Sequence, residues 1–246
     1  LLHALKQDII IDNYPFRLEV GIGIAFFPMD SKLTQELLSR AELALFHSRK
    51  AHVPYVIYDN SLLNETARRK HLASDMIMAL EHNALELYYQ PIVNLESGRC
   101  EAVEALLRWR HPELGFIPPN EVIQVAEEFQ LAEKLGSWVL NTACEQLYQW
   151  QQLGLVDLQM CVNISPGMYQ RNLLKLVAKA LMDHHIPAAS LVLEVTEDTT
   201  MREVKNSLQL MQDLNQQGVQ LALDDFGTGY SSLSYLQKLP VSKVKI

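Results

Sequence analysis

What this chain lacks narrows its function first. Its three cysteines, Cys100, Cys144 and Cys161, include no Cys-x-x-Cys pair, so neither a disulfide framework nor a thiolate zinc site is indicated. No apolar run reaches the roughly 18 residues of a membrane span, and no signal-peptide pattern opens the sequence. Basic runs are missing too: 21 Lys and Arg against 29 Asp and Glu leave a formal charge of −8. That balance argues against general affinity for a nucleic-acid polymer or an anionic membrane. A reducing, cytoplasmic setting without membrane contact is expected for these residues, although a region outside them could anchor a parent protein to the inner membrane. The glycines form no dinucleotide-binding loop.

What is present suits a sizeable core, since 48% of the 246 residues are hydrophobic. Phe16 to Pro28 reads as a strand with glycines, Thr34 to Lys50 as an amphipathic helix, and YVIYD as a short strand. Residues 61–82 form a charged amphipathic pattern, a natural connector between two domains. The expected organisation is therefore a first domain over 1–60, a linker helix over 61–82 and a second domain over 83–246. In the second domain, apolar strand-like runs (LELYYQPIV, EAVEALLRW, LQMCVNIS, SLVLEVTE, VQLALDD and SKVKI) are interspersed with helical ones. This pattern predicts an α/β fold with a parallel sheet, and a β/α barrel rather than a doubly wound sheet. The first residues read as mid-helix and the last as an unfinished strand, so a piece of a longer chain is expected.

A β/α barrel places its chemistry at the C-terminal ends of its strands. Glu104 lies in AVEALLRW, Asn163 ends MCVN, Glu194 ends LVLE, Asp224 and Asp225 end LALDD, and Lys245 sits in the last strand. Carboxylates with an amide oxygen, and no histidine or thiolate, make a hard oxygen site suited to Mg²⁺ or Mn²⁺. Such a site serves phosphate chemistry. Asp225 could hold a second ion, Lys245 could orient water, and Arg108 could fork onto a phosphate. Each position also has a structural reading: Asn163 as a helix cap, Glu197 as a loop brace, Arg108 and Trp109 as a packed rim pair, His111 as a loop residue. The DFG triplet matches the protein-kinase metal motif, but no HRD loop or glycine-rich ATP loop accompanies it.

The runs YQPIV, EALLRWRHPELGFIPPNEVIQVAEE, VNISP, LEVTE and DDFGTGYSSLSYLQKLPVSKVKI resemble, in order, the EAL-domain phosphodiesterases that linearise cyclic di-GMP. Glu104, Ala105 and Leu106 match that family's signature. The resemblance implies a TIM-like barrel in which Glu104, Asn163, Glu194 and Asp224 bind a first metal, Asp225 a second, and Lys245 the attacking water. It implies that Gln90 and Arg108 touch the cyclic dinucleotide, that Glu197 fixes the loop after Asp225, and that the domain forms a homodimer. The first part, chiefly PFRLEVGIGIAFFP and LLSRAELALFHSRK, resembles the C-terminal portion of a GGDEF diguanylate cyclase domain. It departs from that pattern at Ser48-Arg49 and His52-Val53-Pro54, as a degenerate regulatory domain would.

The expected activity of the parent is hydrolysis of cyclic di-GMP to linear pGpG; the alternative is a catalytically silent cyclic di-GMP receptor. The family's later aspartate, glutamate and glutamine have no counterpart before Ile246. Residues 1 to 246 alone are therefore expected to be inactive and marginally soluble.

Overall fold

The computed structural model describes residues 9–11, 14–16, 20–82, 84–169, 172–196, 199–200, 204–227 and 236–246. The chain divides into two compact units, Leu1–Leu72 and Ala73–Ile246. In the first, β1 (Ile9–Ile11) and β2 (Tyr14–Phe16) pair antiparallel, and β3 (Ile22–Ile24) runs parallel to β4 (Tyr55–Ile57). Helix α1 (Thr34–Lys50) connects β3 to β4. It lies so close to β3 that a Cβ on Gly23 would stand 1.9 Å from the Ala41 carbonyl oxygen. Glycine is required there by that backbone approach. Helix α2 (Asn60–Glu81) begins in the first unit and ends in the second.

The second unit is built on one mixed sheet. Its strands are β5 (Leu85–Val93), β6 (Cys100–His111), β7 (Gly115–Ile117), β8 (Gln159–Ile164), β9 (Leu191–Thr196), β10 (Gln220–Asp224) and β11 (Lys243–Val244). The order is β11-β10-β9-β8-β6-β5, with β7 on the side of β6. Through β6, β8, β9, β10 and β11 the ladder is parallel, as the strand and helix alternation predicts, while β7 is antiparallel to β6. The first pair departs from that expectation: β5 and β6 are antiparallel. Their connection is too short for a parallel crossover. It is a tight turn in which Asn94 Oδ1 accepts the N–H groups of Glu96 and Ser97 at 3.0 and 2.9 Å and Gly98 takes φ 67°. Strand β6 also runs further than its apolar pattern suggests. His111, expected in a loop, is its last residue and is buried.

Helix α3 (Pro119–Glu128) follows β7, and α4 (Ala132–Gln152), α5 (Leu173–Asp183) and α6 (Val204–Gln216) pack on one face of the sheet. In α4, Ala132, Leu135, Gly136, Leu140, Ala143, Cys144 and Leu147 recur every three or four residues and are the buried ones. Of these, Ala132, Leu140, Ala143, Cys144 and Leu147 meet Val103, Ala105, Met160, Val162, Leu191, Leu193, Leu221 and Leu223 in one core. On the opposite face a separate layer of small side chains, Ala102, Cys161, Val192 and Ala222, lies across β6, β8, β9 and β10. A strand's alternation puts the residue two further along on that same face. Those residues are Glu104, Asn163, Glu194 and Asp224.

Among the described residues β5 and β11 are the edges of the sheet, and no helix is long and apolar enough to cross a membrane. Burial pushes the thiols of Cys144 and Cys161 up to about 12, whereas Cys100 is exposed. A thiol-exchange reagent at about pH 8 should therefore react quickly with Cys100 alone in the folded chain, and with all three cysteines in denaturant. Rapid reaction of Cys144 or Cys161 without denaturant would contradict this packing.

Candidate active site

The small inner layer acts as a floor, and the polar residues above it come from four adjacent strands. In register, Asn163 is opposite Glu194, Ala222 is opposite Glu194, and Glu104 is opposite Cys161. Lys245 follows β11, held by its N–H donating to the Leu223 carbonyl at 2.8 Å while its own carbonyl accepts from Phe226 at 3.2 Å. Its ammonium reaches into the group of acids. Nζ donates to Glu194 Oε2 at 2.5 Å, Glu104 Oε2 at 3.1 Å and Asp224 Oδ2 at 3.4 Å. Asn163 Nδ2 donates to Glu104 Oε1 at 2.7 Å, which leaves its amide oxygen on the other side of the carboxamide.

Electrostatics follow from this crowding. Glu194 has a side chain only 1% exposed, and burial, with the charges of Glu104 and Asp224 adding to it, raises its carboxyl above the ordinary range despite the opposing lysine. For Lys245, burial opposes the charged form, but hydrogen bonds and attraction to Glu194 and then Glu104 outweigh it and raise the pKa. The lysine is firmly cationic. Three carboxylates around one ammonium leave two negative charges uncompensated.

Asp225 adopts φ 55°, in the left-handed region, and its N–H donates to Asp224 Oδ1 at 3.0 Å. The strand therefore ends abruptly, and Gly227, at φ 99°, continues the turn. The side chain of Asp225 is exposed and is not among the three acids bound by Lys245. Gln90 is exposed on β5 directly opposite Glu104. Arg108 shares the face of Glu104, four residues on. Its guanidinium lies 5.5 Å from the centroid of the Tyr88 ring, and Nη1 donates to the Leu107 carbonyl at 2.8 Å. Glu197 lies outside the described residues, as do Thr228, Gly229, Ser231 and Ser232.

The sequence reading missed Tyr88. Its signal was the alternation in YYQPIV, which puts Tyr88 on the face of Gln90. It also missed how the loop after Asn163 is anchored. Gly167 N–H donates to Glu127 Oε1 of α3 at 2.9 Å, Asn172 Nδ2 to Glu133 Oε1 of α4 at 2.6 Å, and the Tyr169 hydroxyl to the Ser207 carbonyl of α6 at 3.1 Å. Met168 fills the notch above Gly136, where a Cβ would come within 2.0 Å of its sulfur.

The donor set fits a hard divalent cation: carboxylate oxygens of Glu104, Glu194 and Asp224, an amide oxygen of Asn163, and no soft ligand. A cation already stands among them in the form of the Lys245 ammonium. Among the described residues no group of three or more His, Cys, Asp or Glu side chains is arranged to hold a metal ion.

The EAL domain model matches residues 73–246. The chain belongs to the EAL domain family. It is similar to the bifunctional diguanylate cyclase/cyclic di-GMP phosphodiesterase MucR of Pseudomonas aeruginosa, at 38% identity over 100% of this chain and 36% of MucR. It is also similar to the cyclic di-GMP phosphodiesterase NbdA of the same organism, at 34% identity over 100% of this chain and 32% of NbdA. The chain thus spans about a third of these curated relatives. A solved structure described as PaMucR phosphodiesterase in complex with c-di-GMP superposes with a TM-score of 0.68 at 43% identity, covering 72% of each chain. Its fold is that of the EAL domain, a TIM-like barrel variant, as the sequence predicts.

The three acids share one internal cation. With divalent metal removed by chelator, Lys245→Met should lose about 3 kcal/mol of unfolding free energy, because the acids lose their buried counter-charge. Urea denaturation measures this, and a loss near zero would show that the three acids do not need the lysine.

Proposed function

We propose that the protein hydrolyses one phosphodiester bond of cyclic di-GMP to give linear pGpG, with Mg²⁺ or Mn²⁺ held by Glu104, Asn163, Glu194 and Asp224. The observation that carries this reading is the convergence of those side chains and Lys245 on one face of the sheet. The similarity to MucR and NbdA and to a cyclic di-GMP complex supports the choice of substrate.

A divalent ion bound there would supply Lewis acidity to a phosphoryl oxygen and acidify water. Lys245, kept cationic by its acidic neighbours, orients that water by donating to it and neutralises charge as it builds on the phosphate. Asn163 holds Glu104 by one N–H and so keeps its carboxylate in a single orientation. Arg108, stacked over Tyr88, binds the phosphate opposite, and Gln90 contacts the dinucleotide beside Glu104. Asp225 serves a second ion, and Glu197 braces the loop that follows.

A silent cyclic di-GMP receptor is the rival reading. Loss of a ligand would be expected of such a receptor, and Glu104, Asn163, Glu194, Asp224, Asp225 and Lys245 are all retained. Residues 1–60 belong in this reading to the C-terminal part of a degenerate GGDEF-like domain, and 61–82 to a linker helix. The match to a bifunctional cyclase and phosphodiesterase over the whole chain supports that part. A cytoplasmic location and a homodimer formed through the EAL domain complete the proposal.

Glu104→Ala in the full-length protein should lower cyclic di-GMP turnover by about two to three orders of magnitude while the fold survives. Chelator should have a similar effect on the unmodified protein. Chromatographic quantification of pGpG against added Mg²⁺ is the test, and undiminished turnover by the variant would sink the proposal.

A further inference from the structure

A buried histidine that the site chemistry does not use lies at the far end of the strand that carries Glu104. The side chain of His111 is 2% exposed. Its Nδ1 lies 3.2 Å from the backbone nitrogens of both Glu113 and Leu114, and accepts from their N–H groups. The ring proton is therefore on Nε2, which donates to Asp75 Oδ2 at 2.8 Å. The ring also meets Trp109 edge-on at 5.4 Å. Asp75 belongs to α2, so this hydrogen bond ties α2 to β6 within the second unit.

The register of β6 says what the tie controls. Strand β6 pairs with β8 from Ala102 to Ala105. Glu104 lies in that stretch, flanked by Gln90 on one side and Cys161 on the other. Beyond Ala105 the strand leaves β8; residues 106–109 are held by β5, and Trp109 to His111 by the short strand β7. Arg108 sits in this overhang, paired with Glu86 of β5. Its position thus depends on how the overhang is fixed at its end.

We propose that Asp75 is a positioning residue that acts through His111 to hold the β6 overhang, and with it Arg108, in place for a phosphate of the cyclic dinucleotide. This rests on the reading of Arg108 as a substrate contact. The pair governs substrate binding rather than the chemical step, because Glu104 lies in the part of β6 paired on both sides.

Steady-state cyclic di-GMP hydrolysis by the full-length protein at saturating Mg²⁺ tests this. Asp75→Ala should raise KM about tenfold, the effect of losing one hydrogen bond to a charged group, and leave kcat almost unchanged. Asp75→Asn should resemble wild type, since its amide oxygen can still accept from Nε2–H. Arg108→Ala should raise KM as well, and adding Asp75→Ala to it should change KM little further. Asp75→Ser, polar and too short to reach Nε2, replaces the alanine variant if circular dichroism shows the latter unfolded.

An Asp75→Ala variant, or Asp75→Ser in its place, that keeps the wild-type KM, or that loses kcat and thermal stability with KM unchanged, overturns the proposal while Arg108→Ala still raises KM. Arg108→Ala without effect on KM overturns the reading of Arg108, and the proposal with it.

Discussion

Carboxylates gathered at one point repel one another, and the second unit tolerates Glu104, Glu194 and Asp224 together because a cation stands among them. Lys245 supplies it from a strand that the chain reaches only after the others. One ammonium is not enough for three acids, so the cluster stays short of positive charge. Under the proposed function, that deficit draws in a divalent ion and, beside it, a phosphate that brings its own negative charge. The same interaction explains the opposite demands placed on Glu194 and Lys245. The buried glutamate is pushed towards its neutral form, and the lysine is held in its charged one.

The sheet makes this arrangement possible by putting different residues on its two faces. Branched and long apolar side chains face the helices, while Ala102, Cys161, Val192 and Ala222 form a thin floor on the inner side. Small residues there leave room above them for longer polar chains to lean inward and meet. The parallel register then sets Asn163 directly beside Glu194, with Glu104 two residues before that level and Asp224 two residues after it. The left-handed turn at Asp225 stops the last of these strands at the site and starts the chain outward.

Much of this was legible in the sequence because Glu194 and Asp224 end apolar runs, with Glu104 inside another, and a β/α barrel uses the ends of its strands for chemistry. Glu194 closing LVLE and Asp224 closing LALD are clear examples. The antiparallel start was less visible, since LELYYQPIV and EAVEALLRW look like any two strands until the short turn between them is considered. His111 reads as a loop residue because Pro112 follows it, yet pairing with β7 carries the strand through it. Asp75 could not be singled out at all. On a charged helix one aspartate looks like another, and only the fold brings it to a buried imidazole 36 positions away.

The central claim is that the acids around Lys245 form a divalent-cation site. Anomalous diffraction at the manganese edge, from crystals of the full-length protein grown with Mn²⁺, addresses it most directly. The account predicts a peak among Glu104, Asn163, Glu194 and Asp224, with the Lys245 ammonium displaced from the centre of the acids to their margin. No peak there at saturating Mn²⁺, with the ammonium still bound to all three carboxylates, would contradict it.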